Sequence, residues 1–252
     1  MCVSKRFDGN YMVISNKEIC PGYFELEVKA CDIVKYCLPG QFFMIVVPNV
    51  FLRRPMSVHN VKKDIISFIY KVVGKGTKEL SNIHGGVLQL LGPLGKGYNL
   101  ECYKDLNNVI VSGGTGIVSL CFLASKLKKK GILYYGVRSK NDLICVDEFK
   151  KIGWKVIVST EDGTEGYKGY ITDVLEKKLK MDDVLFVCGP VDMIRKVSYI
   201  AKEKSIRGFV SLEEKMACGV GNCQGCAVKI GGLIRMVCKD GPVFKVEQVE
   251  WQ

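Results

Sequence analysis

The sequence predicts a mixed α and β chain in three parts: a small antiparallel β-barrel, a parallel α/β domain of the Rossmann type, and a small C-terminal domain built around cysteines. Short apolar runs broken by turn residues fill the first part, and strands alternate with helices in the second. A spaced set of four cysteines occupies the third part. We place these parts at residues 1–100, 101–208 and 209–252.

The apolar runs of the first part have the length and alternation of strands. They are 12–14, 23–28, 42–47 and 65–73. Turn-forming pairs such as Pro21-Gly22 and Gly92-Pro93 separate them. Helical periodicity is almost absent before residues 77–83. Strands at this density predict a small antiparallel barrel.

The second part changes to alternating strands and helices. An apolar strand from residue 108 leads into a glycine-rich turn, and we expect a helix at 117–129. Further strands are expected at 132–137, 155–159 and 184–188, and further helices at 171–178 and 193–204. This alternation is typical of a parallel, doubly wound sheet. In the third part we expect a hairpin, 227–230 with 233–237, and a last extended strand within 242–251.

The most specific motif is C-x4-C-x2-C, followed by a fourth cysteine after eleven residues. Its members are Cys218, Cys223, Cys226 and Cys238. The first three match the plant-type spacing of a [2Fe–2S] cluster, whose two irons need four thiolates at one point in space. The glycines among them let the backbone curl tightly and aim N–H groups at sulfide. The motif therefore predicts a cluster that carries electrons.

Two other interpretations of these cysteines stay open. Structural zinc usually takes paired C-x2–4-C knuckles of similar shape, whereas here one pair spans a glycine-rich loop. Plain buried thiols are the other alternative.

The remaining cysteines have no ligand spacing and are expected mostly to be small buried residues. His59 and His84 lie far apart without a partner motif, so hydrolytic catalysis has no support.

Two segments of the first part could bind phosphate. Residues 53–57 hold two adjacent guanidiniums, a backbone fixed by proline and a nearby hydroxyl, which together suit an anion. Gly76-Thr77 follows a strand and opens a helix, where backbone amides are free to bind phosphate. Each segment alone has a plainer interpretation, since Arg-Arg-Pro is more often a surface strand end. Together they favour a bound dinucleotide such as FAD.

A glycine turn at 113–116 lies between a strand and a helix, the setting in which backbone amides and a helix N-terminus bind phosphate. It lacks the full G-x-G-x-x-G, so the turn alone is a weak fingerprint. Ligands in such sheets bind at strand ends, where segments 136–139, 161–163 and 188–190 lie. Arg138 is a candidate for a nucleotide phosphate or ribose, and a surface arginine is the equal alternative.

Composition bounds the function further. The net charge is +11 from 37 basic and 26 acidic residues, but the lysines are spread out and no nucleic-acid motif accompanies them. No apolar run approaches a membrane span, and the N-terminus has no secretory signal. Twelve cysteines without a signal argue for a reducing compartment and metal ligation. We therefore expect a cytoplasmic protein without a nucleic-acid or membrane partner.

Along essentially its whole length the chain resembles the electron-transfer subunits of type B dihydroorotate dehydrogenase, within the ferredoxin–NADP reductase superfamily. Glu213–Cys226 with Val237–Phe244 is the closest match. The resemblance implies an FAD site formed by Arg54, Pro55, Met56, Ser57, Ile69, Tyr70, Lys71, Gly76 and Thr77. It implies an NAD site formed by Gly113, Gly114, Thr115, Gly116, Cys188, Gly189 and Pro190. It also implies a [2Fe–2S] cluster on the four spaced cysteines.

The chain departs from its relatives at informative positions. Superfamily glycine turns commonly carry proline where Ser119 stands, so the start of the helix could differ slightly. Similar subunits of NADH-dependent ferredoxin:NADP oxidoreductases usually have aspartate in place of Cys218, which favours the dihydroorotate family. Subunits of the sulfhydrogenase type share the layout and remain the alternative.

The resemblance also implies a partner and a reaction. The partner, an FMN-containing catalytic subunit, would oxidise dihydroorotate to orotate in pyrimidine biosynthesis. Electrons would cross the cluster singly to FAD and leave as a hydride to NAD+. Two copies of each subunit would form a heterotetramer. The protein need only position cofactors in this scheme, which agrees with the lack of an evident acid or base.

Overall fold

The computed structural model describes residues 6–100 and 106–251, and its first sheet is antiparallel with seven strands. These strands are β1 (Phe7–Cys20), β2 (Tyr23–Lys29), β3 (Phe42–Ile45), β4 (Arg54–Ser57), β5 (Asn60–Lys62), β6 (Ile65–Lys71) and β7 (Val87–Leu94). Their order is β4-β3-β7-β1-β2-β6-β5, and β4 also contacts β6 because the sheet curls. The one α-helix among residues 6–100 is α1 (Lys75–Ser81). The expected antiparallel barrel is confirmed as a curled sheet.

The second sheet is the expected parallel one, in the order β11-β10-β9-β8-β12-β13-β16. Its strands are β8 (Asn107–Gly113), β9 (Ile132–Val137), β10 (Lys155–Thr160), β11 (Tyr167–Lys168), β12 (Asp183–Cys188), β13 (Arg207–Ser211) and β16 (Val243–Lys245). Its helices are α2 (Ile117–Lys126), α3 (Val146–Lys151), α4 (Ile171–Glu176) and α5 (Val191–Glu203). Only β16 runs antiparallel within this sheet.

Helix α2 ends three residues earlier than the sequence predicts. The ammonium of Lys130 donates to the carbonyl oxygens of Ala124 and Leu127, at 2.9 and 2.6 Å. A lysine that binds the last carbonyls stabilises a helix C-terminus and ends the helix there. Apolar periodicity extends past this point in the sequence and cannot reveal the end.

The third part leaves the second sheet after β13 and returns to it at β16. Between them lie the expected hairpin, β14 (Ala227–Ile230) with β15 (Leu233–Met236), and the short helix α6 (Val237–Asp240). The expected long final strand is wrong. The chain turns at 246–248 after three paired residues, because Val249 then pairs with Ile230 of the hairpin. The division at residues 100 and 208 stays a prediction.

Shared cores join the three parts. Tyr23 and Ile69 of the first sheet pack in the same buried cluster as α2. Phe42 and Met44 pack in another cluster with Cys226 and Cys238. Burial of this apolar surface stabilises the arrangement of the parts, at about 25 cal/mol for each Å² removed from water. No helix among the described residues is long and apolar enough to cross a membrane.

Candidate redox and nucleotide sites

The four spaced cysteines form two neighbouring pairs, Cys218 with Cys223 and Cys226 with Cys238. The sulfur atoms of Cys226 and Cys238 lie 3.3 Å apart. The backbone N–H groups of Val220 and Cys223 each point at the sulfur of Cys218, at 3.5 Å. The N–H of Cys238 points at the sulfur of Cys226, also at 3.5 Å. A nest of amides around crowded sulfurs is the environment of a thiolate-bound metal centre.

The loop that carries Cys218 needs its glycines. Gly219 and Gly221 have φ angles of +71° and +87°, which side chains other than glycine rarely adopt. A Cβ on Gly221 would lie 2.6 Å from the Cδ atom of Lys239. The hairpin and α6 then bring Cys238 back to this loop. The glycines therefore let the backbone that carries the first three cysteines fold into a tight loop. The hairpin then returns the chain so that Cys238 lies beside this loop.

The pKa values of two cluster thiols move in opposite directions. Burial raises the pKa of Cys218, but the N–H donors of Cys223 and Val220 outweigh it and lower this pKa to about 6. Burial, followed by the neighbouring Cys226 thiol, raises the pKa of Cys238 to about 12. Thiolates crowded in this way repel each other unless metal charge offsets them. The donor set therefore fits an iron–sulfur cluster.

The two segments of the first part that we expect to bind phosphate lie in contact with each other. The guanidinium of Arg54, at the start of β4, lies directly over Gly76 in the first turn of α1. A Cβ on Gly76 would lie 2.1 Å from the Nε atom of Arg54, so only glycine fits beneath this side chain. Arg54 also donates to the carbonyl oxygen of Leu52 at 2.8 Å, which holds its guanidinium in place. Residues more than 20 positions apart thus form one candidate anion site.

The neighbouring residues of these segments have different roles. Arg53 is not part of the candidate anion site, because its guanidinium pairs with both carboxylate oxygens of Asp8, at 3.2 and 3.0 Å. Met56 is buried, Ser57 is half-buried and Pro55 is exposed. The hydroxyl of Thr77 accepts the N–H groups of Val73 and Gly74, at 2.9 and 3.2 Å, and thereby closes the start of α1.

We predict that Arg54→Ala weakens FAD binding by about 10- to 100-fold, while Arg53→Ala leaves it within about twofold. A charge-assisted hydrogen bond to phosphate contributes about 1.5–3 kcal/mol. Of the two arginines, only Arg54 has its guanidinium over Gly76 at the start of α1. The measurement is the dissociation constant of FAD from deflavinated protein, followed by flavin fluorescence. An equal loss of FAD affinity in both variants would contradict the assignment of phosphate binding to Arg54 alone.

The candidate FAD residues on β6 alternate in direction. Ile69 packs against the nucleotide domain, whereas the Tyr70 hydroxyl donates to Asn16 at 3.0 Å inside the first sheet. The ammonium of Lys71 donates to Asp142, beyond β9, at 2.8 Å. The Tyr23 hydroxyl donates to the same carboxylate at 3.1 Å. Lys71 therefore connects the two sheets.

This connection gives a pH-dependent prediction. The hydrogen bond from Lys71 lowers the pKa of Asp142, so its contribution to stability is present above the unfolded-state pKa and is lost as the pH falls through the folded-state pKa. Both side chains are partly exposed, so Asp142→Asn should cost at most about 1 kcal/mol. We expect a melting temperature lower by about 2–4 °C at pH 7, with the difference shrinking below about pH 4. An unchanged difference at low pH would contradict this cause.

The glycine turn packs back to back with the turn after β12. A Cβ on Gly113 would lie 2.6 Å from the Cδ atom of Pro190, and one on Gly116 would lie 2.5 Å from the carbonyl oxygen of Cys188. Gly189 has a φ of +157° and faces the backbone of Gly113 equally closely. These contacts bring the expected NAD residues together. Gly114 has a φ of +52°, and Thr115 is exposed at the tip of the turn.

Serine at position 119 is compatible with this turn. Its hydroxyl is buried and donates to the carbonyl oxygen of Gly116 at 3.0 Å. This hydrogen bond stabilises the first turn of α2. Arg138 is exposed at the end of β9, and its charge helps to lower the pKa of Asp142. Arg138 thus lies beside the connection between the sheets.

One residue of this region was not predicted as a site residue. The carboxylate of Glu213, just beyond β13, lies 3.9 Å from the Cys188 sulfur. Burial, followed by the charge of Glu213, raises the pKa of the Cys188 thiol to about 12, so the thiol keeps its proton. Glu213 begins the cysteine segment that carries the family resemblance, but the sequence gave it no role at Cys188, because this contact depends on strands β12 and β13 being neighbours.

Comparisons with known proteins agree with this geometry. Residues 213–250 match the iron-sulfur cluster binding domain of dihydroorotate dehydrogenase B, and residues 110–199 match an oxidoreductase NAD-binding domain. The electron transfer subunit of dihydroorotate dehydrogenase B (NAD(+)) from Caldanaerobacter subterraneus subsp. tengcongensis is 38% identical over 94% of this chain and 96% of its own length. The subunit of the same name from Clostridium perfringens is 38% identical over 95% and 96%.

Solved structures share the fold. A chain of an NADH-dependent reduced ferredoxin-NADP oxidoreductase superposes with a TM-score of 0.85 at 32% identity, over 96% of this chain and 90% of that one. Phthalate dioxygenase reductase has a TM-score of 0.64 at 15% identity over 88% and 86%, which shows the fold alone. The overall fold of this chain is therefore a known oxidoreductase architecture. On the full-length identities and the matched cluster domain, this chain belongs to the family of dihydroorotate dehydrogenase B electron transfer subunits.

Proposed function

We propose that this chain passes electrons between the FMN of a partner catalytic subunit, which oxidises dihydroorotate, and NAD+, within pyrimidine biosynthesis. The observation that carries the proposal is the contact between the cysteine loop and the first sheet. A Cβ on Gly219 would lie 2.6 Å from the Cγ atom of Met44 on β3. The loop that would hold a cluster is thus packed against the sheet that would hold a flavin.

The residues have distinct tasks in this proposal. Cys218, Cys223, Cys226 and Cys238 would hold the cluster, and the surrounding N–H groups would stabilise its negative charge. Arg54 would bind an FAD phosphate above Gly76. The paired turns at 113–116 and 188–190 would hold NAD. When bound, the cluster carries single electrons and the flavin exchanges them with NAD as a pair.

The remaining FAD and NAD assignments are also part of the proposal. The buried Cys188 thiol, kept protonated beside Glu213, would be an uncharged group beneath the nucleotide-binding turn rather than a base. The exposed Arg138 would bind a ribose or phosphate group. Ser57 and the backbone of Ile69–Lys71 would complete the flavin site. No side chain of this chain is assigned as a general acid or base, because the one proton that joins the two electrons to make a hydride would come from solvent.

The exposure of the cysteine loop supports an electron-transfer partner at this edge. Cys223 is exposed whereas Cys226 is buried, so one edge of the cysteine loop faces outward. A cluster there would be reachable by a partner's flavin, in a heterotetramer of two copies of each subunit. We place the complex in the cytoplasm, because the ten cysteines of the described residues are all free thiols, as expected in a reducing compartment.

The test is an anaerobic visible spectrum with metal and flavin analysis, on the chain expressed with and without the dehydrogenase subunit. We expect about two irons and one FAD per chain. NADH should bleach the spectrum in both preparations, and dihydroorotate only when the partner is present. Zinc in place of iron, or no flavin, would overturn the proposal. Full cofactors without a response to dihydroorotate would instead favour a ferredoxin-type or sulfhydrogenase-type acceptor.

A further inference from the structure

A second group of metal-binding side chains lies where the first sheet meets the nucleotide domain. One ring nitrogen of His59 and the sulfur atoms of Cys121 and Cys145 all lie within 4.8 Å of one another. His59 lies between β4 and β5, Cys121 is in α2, and Cys145 immediately precedes α3. The sequence gave these residues no ligand spacing, and the fold brings them together from three separate elements.

The histidine is oriented as a ligand would be. Its side chain is only 2% exposed, and Nε2 lies 3.2 Å from a carboxylate oxygen of Glu148. Nδ1 is buried and has no hydrogen-bond partner within residues 6–100 and 106–251. An unpaired buried nitrogen of this kind costs about 1–3 kcal/mol. Histidines that bind metals commonly hold their other ring nitrogen on a carboxylate, as His59 does with Glu148.

The donor set selects the metal. Two thiolates and an imidazole favour Zn²⁺ over Mg²⁺ or Ca²⁺, which prefer oxygen. Tetrahedral zinc places its ligand atoms roughly 3.4–3.8 Å apart. The three donor atoms lie within 4.8 Å of one another and therefore need to approach by at most about 1.4 Å, which side-chain rotations can supply.

A surface pocket of about 260 Å³ adjoins this site at His59 and Glu148. Its charged lining residues are Glu25, Glu27, Glu148, Lys62 and Lys151. The three carboxylates outnumber the two ammonium groups, so the pocket favours a cation. His59 lies in its wall, which places the imidazole between solvent and the two thiols. A water molecule from this pocket can occupy the fourth position of the metal.

We propose that His59, Cys121 and Cys145 bind one Zn²⁺ ion, with Glu148 as the positioning residue that orients the imidazole. Binding forms two Zn–S bonds and one Zn–N bond and releases the two thiol protons to solvent. The ion ties the first sheet to α2 and α3, and so fixes the angle between the two nucleotide-binding parts. This site is separate from the four cysteines 218, 223, 226 and 238, and it does not depend on the proposed electron transfer.

The test uses the holoprotein, so that iron already occupies the four cluster cysteines. The protein is equilibrated with zinc chloride, freed of excess metal, and analysed for zinc and iron, with affinity measured against a chromophoric chelator. We expect about one zinc per chain with undiminished iron. Zinc-edge X-ray absorption should show two sulfur and two nitrogen or oxygen neighbours.

Variants make the test specific. Cys145→Ser should weaken zinc binding by more than about 100-fold, and Glu148→Gln by about 10- to 100-fold, the usual effect of a group that orients a ligand. Cys20→Ser is the matched control, because this half-buried thiol lies near Cys145 but outside the group. It should change the affinity by less than about twofold. His59→Gln repeats the test if Cys145→Ser loses its flavin or iron.

Three outcomes would overturn the proposal. The first is less than about a tenth of a zinc per chain at full iron content. The second is zinc with four sulfur neighbours and a matching loss of iron, which would place it on the cluster cysteines. The third is a disulfide between Cys121 and Cys145 in protein purified under reducing conditions, detected by mass spectrometry, since that bond would consume both thiolates.

Discussion

Replacing Cys226 with serine is expected to remove the iron and stop electron transfer to or from the partner subunit. Iron should fall from about two per chain to less than about a tenth of that value, because two irons need four thiolates at one point. FAD content and NADH-dependent reduction of a dye should stay within about threefold. The measurements are iron analysis, the visible spectrum and both activities on the same preparation.

This expectation follows from the position of the thiol. Cys226 is 1% exposed, and its sulfur lies 3.3 Å from that of Cys238. A serine hydroxyl is a poor ligand for iron and binds no thiophilic metal tightly. Dye reduction needs only the two nucleotides, whose expected residues lie on other elements. Loss of iron and of electron transfer with the partner, while FAD content and dye reduction are retained, would therefore show that this thiol serves the cluster alone.

The matched control is Cys37→Ser. Cys37 is also buried, and burial raises its pKa to about 12, but it lies in the core of the first sheet and away from the other three ligands. It should keep its iron. Cys223→Ser, at an exposed position, should lose iron as Cys226→Ser does without disturbing the core. Normal iron in both cluster variants would contradict the assignment of these ligands.

Replacing Gly116 with alanine is expected to lower kcat/KM for NADH by about 100-fold. The added methyl group would lie 2.5 Å from the carbonyl oxygen of Cys188 and 2.7 Å from the backbone nitrogen of Gly189. Neither atom can move alone, since both belong to the backbone at the end of β12. The glycine turn must therefore shift by about 1 Å, and a misplacement of that size commonly costs about 100-fold in rate.

The control for this variant is Gly85→Ala. No atom lies within 4 Å of a Cβ at Gly85, and its backbone is outside the left-handed region, so the substitution adds a methyl group in open space. FAD and iron contents should be unchanged in both variants. If Gly116→Ala binds and oxidises NADH normally, the paired turns are not the nucleotide site.

Much of this protein was determined by the sequence itself. The spacing of the cysteines, the glycines at 219 and 221 and the hairpin at 227–237 are local patterns, and local backbone geometry follows from them directly. The strand and helix alternation likewise predicted the parallel sheet, because each element shows its own periodicity. The family resemblance rested on the same segments. These are properties of neighbouring residues.

Tertiary structure alone decided the rest. It separated Arg54, which lies over Gly76, from Arg53, which is held by Asp8. It brought His59 to two thiols that lie more than 60 and 80 positions away in the sequence. The physical reason is the same in each case. These groups meet only when the curled sheet packs against α2 and α3, and no pattern of adjacent residues specifies where the surfaces of two separate elements will touch.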